Sequence, residues 1–213
     1  RDAQESRGLG DVYKRQIEDE LIKSGYTNVA GIDEAGRGPL AGPVIAAAVI
    51  LPKDFPDIGL NDSKRLSAKR RETIYNIITD SNSNVIWGFA VVDQDIIDEI
   101  NILNATYEAM RLAALSLSLK PDYVIIDGKP INNCPFRNHS IVKGDSKSLS
   151  ISAASVIAKV ERDRIMLKYS NEFPLYAFDR HKGYGTKVHM DALKEHGPCR
   201  IHRKSFAPVM KYS

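Results

Sequence analysis

Apolar residues recur along the chain with two different spacings. Continuous or alternating apolar runs predict strands over 28–32, 43–51, 84–92 and 123–126. Apolar positions three and four residues apart predict helices over 17–24, 68–79, 101–117 and 150–171, and a further helix that ends near Gly197. Because strands come first and then alternate with helices, we expect an α/β sheet covered by helices.

The two longest helices indicate which positions should face the core. In 101–117 the predicted inward stripe is Leu103, Tyr107, Met110, Ala114 and Leu117. In 150–171 it is Ala153, Val156, Ile157, Val160 and Leu167. Ser67 precedes the basic helix 68–79 and is the expected N-cap, since its hydroxyl can accept a bond from a free helical N–H.

The composition is that of a soluble globular protein. The chain has 213 residues, 43% of them hydrophobic and 27% charged, which is enough for one sizeable core. Its net charge of +3 is compatible with a polyanionic partner without requiring one. No apolar run reaches the roughly 18 residues of a membrane span, and Cys134 and Cys199 lack a metal-ligand spacing. We therefore expect two free thiols in a cytoplasmic protein that contacts no membrane.

The first sixteen residues, RDAQESRGLGDVYKRQ, differ from the rest of the chain. They are polar and aperiodic and lack the apolar centre of a signal peptide. Their GLGDVYKRQ part looks like translated adapter sequence. We expect 1–16 to be a non-native or disordered segment and 17–213 to form a single domain.

Acidic residues follow two of the predicted strands. Asp33 and Glu34 come directly after 28–32, and the Gly-Arg-Gly segment beyond them can turn the backbone. Asp127 ends the strand 123–126, and Asp145 lies just before the long helix 150–171. Sheet ends of this kind are where α/β proteins place their sites.

Four carboxylates at one end of a sheet would require cations to offset their charge. Hard oxygen ligands without nearby Cys or paired His favour Mg²⁺ or Mn²⁺ over Zn²⁺. Two such ions form the arrangement used for phosphoryl displacement. However, an Asp-Gly pair such as Asp127-Gly128 also forms ordinary turns, and Asp145 also fits a solvated charge at a helix start. Spacing alone therefore leaves the two-metal site as one of several interpretations.

Six segments of the chain together resemble the ribonuclease HII family, the type 2 ribonucleases H. In the family's order they are GIDEAGRGPLAGPV, LNDSKRLS, PDYVIIDGK, KGDSKSLSISAASVIAKVERDR, HKGYGT and HGPCRIHRKSFAPV. The resemblance implies a ribonuclease H-like fold, with a central mixed five-stranded sheet flanked by helices and a helical C-terminal part. Residues 17–213 would then be one catalytic domain.

The same resemblance implies a metal-dependent endonuclease that cleaves RNA paired with DNA. Its substrates would be RNA–DNA hybrids and duplex DNA containing ribonucleotides, cut on the 5′ side of the ribonucleotide to leave 3′-hydroxyl and 5′-phosphate ends. The family's catalytic and metal-binding acids match Asp33, Glu34, Asp127 and Asp145, which would hold two Mg²⁺ or Mn²⁺ ions.

Recognition residues are also implied by the resemblance. The turn Gly36, Arg37 and Gly38 would meet the minor groove and the ribonucleotide's 2′-hydroxyl, since glycine lets a backbone approach closely. Tyr184 would pack against the sugar at the junction. Candidate phosphate contacts are Lys64, Lys147, Arg180, His181 and Lys182, and the basic clusters SAKRRE and IHRKS would widen that surface. Asp163 is interpreted as an ion-pair partner on a basic helix.

Two alternatives to this enzyme remain at the level of sequence. One is a catalytically silent nucleic-acid-binding module on the same fold, which the presence of all four acids argues against. The other is a different two-metal nuclease, such as a type 3 ribonuclease H, against which the GRG turn and Tyr184 count. We expect a monomer, and the segment SFAPVMKYS is no persuasive clamp-binding peptide.

Overall fold

A mixed five-stranded sheet lies at the centre of the computed structural model, which describes residues 15–56, 58–60, 66–131 and 133–212. Its strands are β1 Val29–Ala35, β2 Val44–Ile50, β3 Ile86–Val92, β4 Tyr123–Asp127 and β5 Arg137–Ile141, in the order β3-β2-β1-β4-β5. The first three strands are antiparallel neighbours, and β4 and β5 run parallel to β1. The expected mixed sheet is confirmed.

Helices cover the sheet and form the C-terminal part of the chain. They are α1 Gln16–Lys23, α2 Ala68–Thr79, α3 Gln94–Leu115, α4 Leu149–Glu172, α5 Phe178–His181, α6 Lys187–His196 and α7 Ala207–Met210. The bounds of α2 agree with the prediction, and the Ser67 hydroxyl accepts a bond from Arg70 N, so the predicted N-cap is also confirmed. No helix in the described parts of the chain is long and apolar enough to cross a membrane.

The two faces of the sheet are buried against different helices, because successive side chains of a strand point to opposite faces. On β2, Val44, Ala46, Ala48 and Ile50 belong to the core cluster that includes α3. Ile45, Ala47 and Val49 belong to the cluster built with α2 and α4. This arrangement explains why β2 is apolar at every position rather than at alternate ones.

The predicted helix 101–117 is wrong at its start. The helix begins at Gln94, capped by the Asp93 side chain, and it is interrupted at Asn101, whose φ is 65°. The Asn101 side chain accepts bonds from Leu103 N and Asn104 N and so starts a second helical segment. Leu103 therefore lies in the first turn after the interruption and is 39% exposed, against the prediction that it faces the core.

Two other sequence predictions need correction. Strand β5, with the sequence RNHSI, was absent from the predicted elements because it lacks an apolar alternation. Leu167 is exposed, whereas Arg162 and Met166 are buried on the same part of α4. Beyond Val160 the helix packs on the C-terminal cluster through Met166, so a different face of the helix turns inward.

The C-terminal part lies against the segment that follows β1. Leu40 N donates to Gly183 O at 2.8 Å, and Gly42 N donates to Ile201 O at 2.8 Å. An isolated bridge joins Ala41 to His202. These bonds place the loop around residue 184 beside the Gly-Arg-Gly turn.

The N-terminal segment 1–16 is described only at its end. Residues 1–14 lie outside the described part of the chain, Gln16 begins α1, and Arg15 Nη2 donates to Pro52 O at 2.8 Å. Glu18 of α1 is buried and reaches the start of α4, where its Oε1 accepts bonds from the Ser148 hydroxyl and from Ser150 N and Oγ. The first helix therefore holds the N-terminus of the longest helix in place.

Candidate active site

Asp33 and Glu34 lie within β1, whereas the sequence placed them after the strand. The pairing of β1 with β4 ends at Ile32 and Ile126, but the antiparallel pairing with β2 continues to Ala35. The central strand β1 thus extends beyond its pairing with β4, and it carries both acids near its C-terminal end. The expected turn follows at Gly36, whose φ is +102°.

Asp127 and Asp145 are brought together by a short turn. Asp127 ends β4, and Asp145 lies in the 3₁₀ turn Gly144–Ser146 that precedes α4. Gly144 N donates to Asp127 Oδ1 at 2.6 Å. A Cβ at Gly144 would lie 2.7 Å from Ile151 Cδ1, so glycine allows this close packing.

The pKa of Asp33 shows that the four acids share one electrostatic environment. Burial raises this pKa well above its usual value, and the charges of Glu34, Asp127 and Asp145 raise it further, against a smaller lowering by the bond from Glu34 N. Burial also raises the pKa of Glu34, an effect that the Arg37 guanidinium, 3.4 Å from Glu34 Oε1, opposes and the charge of Asp127 reinforces. The carboxylates of Glu34, Asp127 and Asp145 are therefore close enough to Asp33 to disfavour its charge.

The chemistry of these donors fits a hard divalent cation. All four groups are carboxylates, and Glu34 Oε2 is buried with no hydrogen-bond partner in the described structure. A cation would offset the burial and the neighbouring negative charges that together raise the pKa of Asp33. Within the described ranges, however, no three His, Cys, Asp or Glu side chains are gathered closely enough to hold an ion. The type of these donors therefore fits a divalent cation, although their positions in this structure do not form a closed set of ligands.

A cleft of about 220 Å³ joins the acidic pair to the predicted recognition residues. Its walls include Asp33 and Glu34, the turn 36–38, and Tyr184. The Tyr184 side chain is 46% exposed, and a Cβ built on Gly38 would lie 3.6 Å from its Cε1. The Gly-Arg-Gly turn and the tyrosine thus form adjacent walls of the cleft and come close together at Gly38.

Three polar residues of α4 also line this cleft and were not predicted from the sequence. They are Ser155, Lys159 and Arg162. Lys159 Nζ is bonded to Asp163 Oδ1 at 2.6 Å, and Ser155 Oγ is buried without a hydrogen-bond partner among the described residues. Their spacing of four and then three residues places them on one helix face. This face lies opposite the predicted inward stripe of the helix, so the sequence indicated solvent there, whereas Ser155 and Arg162 are buried.

The candidate phosphate contacts differ in their exposure and in their hydrogen bonds. Lys147 and Arg180 are exposed, and Lys64 lies outside the described residues. Lys182 Nζ donates to Asp179 O. His181 is buried, with Nε2 bonded to Tyr176 O and Nδ1 accepting from Gly183 N, so the prediction that it contacts phosphate is not supported.

The two basic clusters are also less available than predicted. Arg70 and Arg71 donate to the carbonyls of Ile58 and Leu66, and Arg71 also lies 3.7 Å from Asp163. Arg203 of IHRKS is completely buried, where the sequence indicated a basic surface. The interpretation of Asp163 as an ion-pair partner is confirmed by its contact with Lys159. Both cysteines are free thiols.

Comparisons with known proteins give a consistent result. The family model described as ribonuclease HII matches residues 30–209. The chain is 54% identical to ribonuclease HII of Endomicrobium trichonymphae over 190 residues, covering 89% of this chain and 90% of that protein. It is 51% identical to ribonuclease HII of Enterococcus faecalis, covering 91% of this chain and 75% of that protein.

Solved structures of the same kind are similar in fold. The ribonuclease H2 of Pyrococcus horikoshii OT3 superposes with a TM-score of 0.71 at 27% identity, covering 87% of this chain and 97% of that one. The ribonuclease HII of Archaeoglobus fulgidus, solved in complex with PCNA, gives a TM-score of 0.70 at 27% identity over 83% and 94% of the two chains.

Proposed function

Because the chain belongs to the ribonuclease HII family, we propose that it cuts duplex DNA on the 5′ side of embedded ribonucleotides, leaving 3′-hydroxyl and 5′-phosphate ends. Family membership supports hydrolytic endonuclease action on RNA–DNA hybrids, and our proposal extends this activity to single ribonucleotides. The match favours the type 2 enzyme over a type 3 ribonuclease H, and the presence of all four acids supports catalysis over a silent binding module. We place the reaction in the cytoplasm and take one chain as the active unit.

The observation that carries the proposal is the cleft itself. The acidic pair Asp33 and Glu34, the turn 36–38 and Tyr184 line one cavity. A nuclease that distinguishes one ribonucleotide must read the 2′-hydroxyl close to the bond that it breaks. Acids and a recognition surface that share a cleft meet this requirement.

Four carboxylates would hold the metal ions: Asp33, Glu34, Asp127 and Asp145. Bound divalent cations supply activation of water and stabilisation of the leaving oxygen in phosphodiester hydrolysis. The bond from Gly144 N fixes one oxygen of Asp127 and leaves the other for a ligand position. Arg37 contacts Glu34 while half of its side chain stays exposed, so it can also meet a phosphate at the cleft entrance.

The proposed reading of the ribonucleotide uses both walls of the cleft. The amide groups of the turn 36–38 would bind the 2′-hydroxyl and the adjacent phosphate, and the ring of Tyr184 would pack against the sugar. Lys147, Arg180, Lys182 and Lys64 would contact phosphates farther along the duplex, which contributes affinity without sequence information.

Cleavage of three duplexes of identical sequence tests the proposal. One is all DNA, one contains a single ribonucleotide, and one is an RNA–DNA hybrid, each assayed with Mg²⁺, with Mn²⁺ and with excess EDTA. We expect cleavage of the second and third duplexes with either metal, at the 5′ side of the ribonucleotide, with ends that a DNA ligase reseals. Cleavage of the hybrid without cleavage of the single-ribonucleotide duplex would contradict the proposal, as would cleavage of all three.

A further inference from the structure

Arg203 lies beneath the Gly-Arg-Gly turn with no exposed surface. Its guanidinium donates to three main-chain carbonyls, those of Gly36 at 2.6 Å, Arg37 at 3.0 Å and Gly42 at 2.9 Å. Arg162, which is also buried, donates in the same way to the carbonyls of Ala41, Pro43 and Lys182. Over the residues that the structure describes, neither guanidinium forms an ion pair.

These two cations are costly to bury. Burial lowers the pKa of Arg203 to about 9 and that of Arg162 to about 10. Carbonyl bonds offset part of the cost, but a well-packed apolar residue would fill the same space without desolvating a charge. What a guanidinium adds is geometry, because its donors lie in a rigid plane and fix several carbonyls at once.

The fixed carbonyls determine where the amides of the turn point. In a trans peptide the N–H lies opposite the C=O of the preceding residue. Carbonyls of Gly36 and Arg37 that point to Arg203 therefore direct the N–H groups of Arg37 and Gly38 the opposite way. Within the described structure these two N–H groups donate no hydrogen bond, and both residues line the cleft.

The neighbouring residue His202 is linked through His189 to Tyr184, on the other wall of the cleft. Cys199 N donates to His202 Nδ1 at 2.9 Å, so the proton of His202 is on Nε2. His202 Nε2 lies 3.0 Å from His189 Nε2, and His189 Nδ1 lies 3.0 Å from Tyr184 O. Only one set of tautomers satisfies all three contacts: His202 donates to His189, and His189 donates to Tyr184 O.

We propose that His202 and Arg203 are positioning residues that set the spacing between the two walls of the cleft. Arg203 fixes the turn that presents the amides, and His202 fixes the main chain of Tyr184 through His189. The two side chains leave one segment in different directions, so a shift of this segment would move both walls. This inference rests on the proposed function, because its consequence is discrimination of a single ribonucleotide.

The test compares Arg203→Lys and Arg203→Met with the surface variant Arg200→Met. Arg200 lies three residues before Arg203, is exposed and is paired with Glu172. It therefore serves as the matched control. His202→Phe, which breaks the relay to Tyr184 while keeping an aromatic ring, forms a second and independent arm. Each protein is assayed for kcat/KM on the single-ribonucleotide duplex and on the hybrid, for Mg²⁺ affinity by calorimetry, and for Tm.

We expect the Arg203 variants to lose about a hundredfold in kcat/KM on the single-ribonucleotide duplex and about tenfold on the hybrid, since small misplacements of a bound substrate are costly. His202→Phe should also lower kcat/KM more on the single-ribonucleotide duplex than on the hybrid. Mg²⁺ affinity should stay within about twofold in every variant. The inference would be overturned if the folded variants kept the wild-type ratio of kcat/KM between the two substrates. A loss of Mg²⁺ affinity that parallels the loss of activity would also overturn it.

The outcomes separate this inference from the proposed function. A wild-type protein that cleaves the hybrid but not the single-ribonucleotide duplex would remove the proposed function and this inference with it. A wild type that cleaves both, with a ratio that all folded variants retain, would remove this inference alone. If the Arg203 variants do not fold, the ratio measured for His202→Phe decides.

Discussion

Gly144 N donates a hydrogen bond to Asp127 Oδ1 at 2.6 Å, which ties the end of β4 to the turn that carries Asp145. Glycine is needed in this turn, because a Cβ at Gly144 would lie 2.7 Å from Ile151 Cδ1. The bond occupies one oxygen of Asp127 and orients the other. One main-chain amide therefore positions two of the four acids relative to each other.

Asp127→Asn should abolish most of the activity without unfolding the protein. The Asn carbonyl can still accept the bond from Gly144 N, but one negative charge is lost from the site. We expect kcat to fall by about a hundredfold or more, because stabilisation of transition-state charge is usually the largest catalytic contribution. Steady-state kinetics and a melting curve measure both effects, with Asp191→Asn on the exposed face of α6 as the control. Wild-type turnover in a clean preparation would remove Asp127 from the site.

Metal should restore activity and stabilise the fold. Protein freed of metal should be inactive, Mg²⁺ or Mn²⁺ should restore cleavage, and Zn²⁺ should be a poor substitute for an all-carboxylate set. Because ions bind the folded state, Mg²⁺ at a hundred times its Kd should add about 2.7 kcal/mol to the free energy of unfolding. Calorimetric melting with and without Mg²⁺ measures this gain, which should shrink in Asp33→Asn. Full activity in excess EDTA would exclude the metal mechanism.

The two glycines of the turn should respond differently to alanine. Gly36 has a φ of +102°, and a Cβ there would lie 2.2 Å from Arg162 Nε, so Gly36→Ala should lower the free energy of unfolding by roughly 1–3 kcal/mol. At Gly38 a Cβ would make only an ordinary contact with Tyr184, 3.6 Å from its Cε1, so stability should change by less than about 0.5 kcal/mol.

The kinetics of Gly38→Ala test why this position is a glycine. If substrate approaches this turn as proposed, the added methyl group of Gly38→Ala should lower kcat/KM on the single-ribonucleotide duplex by about ten- to a hundredfold. Chemical denaturation confirms that the variant is folded before the kinetics are compared. Unchanged kinetics would mean that substrate does not approach this residue closely.

Tyr184→Ala should separate recognition from metal binding. The ring is not a ligand, so the Mg²⁺ affinity measured by calorimetry should be nearly unchanged. Loss of the surface that orients the sugar should cost about a hundredfold on a single ribonucleotide and less on a hybrid, where neighbouring 2′-hydroxyls allow other registers. Tyr184→Phe keeps the ring and should retain most of the activity. Equal losses on both substrates, or weaker Mg²⁺ binding, would assign the tyrosine a structural role instead.

The buried histidine pair should make stability depend on pH. Burial lowers the pKa of His189 and of His202 to about 4, from a usual value near 6.5. Between these values the unfolded chain binds protons and the folded chain does not, so stability is present above pH 6.5 and is lost as the pH falls towards 4. Each imidazole contributes at most about 1.4 kcal/mol per pH unit in this window.

Unfolding measured from pH 7 to 4.5 in wild type and in His202→Gln tests this dependence. The variant removes one of the two imidazoles, so the difference in stability between the two proteins should narrow as the pH falls. A difference that stays constant across this range would show that His202 is not held neutral in the folded protein.

Much of the fold could be predicted from the sequence where local chemistry decides the structure. Ser67 and the helix Ala68–Thr79 follow from a cap and a polar helical segment, and both agree with the structure. Strand β5 could not be found in this way, because its polar residues pair with β4 at the sheet edge without an apolar pattern. The interruption at Asn101 depends on a side chain that caps the helix from within.

For the site, the acidic residues could be selected from the sequence, whereas the residues that support the cleft could not. The acids were found because carboxylates at strand ends are unusual in a core. Arg203 and His181 were taken for surface groups, since a charged or polar residue in isolation is usually solvated. The burial of Arg203 depends on carbonyls contributed by a distant segment, such as that of Gly36, and no local pattern reveals such contacts. His181 is instead held by its near neighbours Tyr176 and Gly183.

The bond between Arg203 and Gly36 also constrains the order of folding during synthesis. It joins residues separated by 167 positions, so the turn next to the first two acids cannot take its final shape until nearly the whole chain has left the ribosome. The sheet and α4 can assemble earlier, because their strands and helices precede residue 173. A nascent chain therefore carries its acids in a folded sheet before the turn beside them has its final shape. Ribosome-bound fragments that end before residue 203 should be structured and yet unable to select a ribonucleotide.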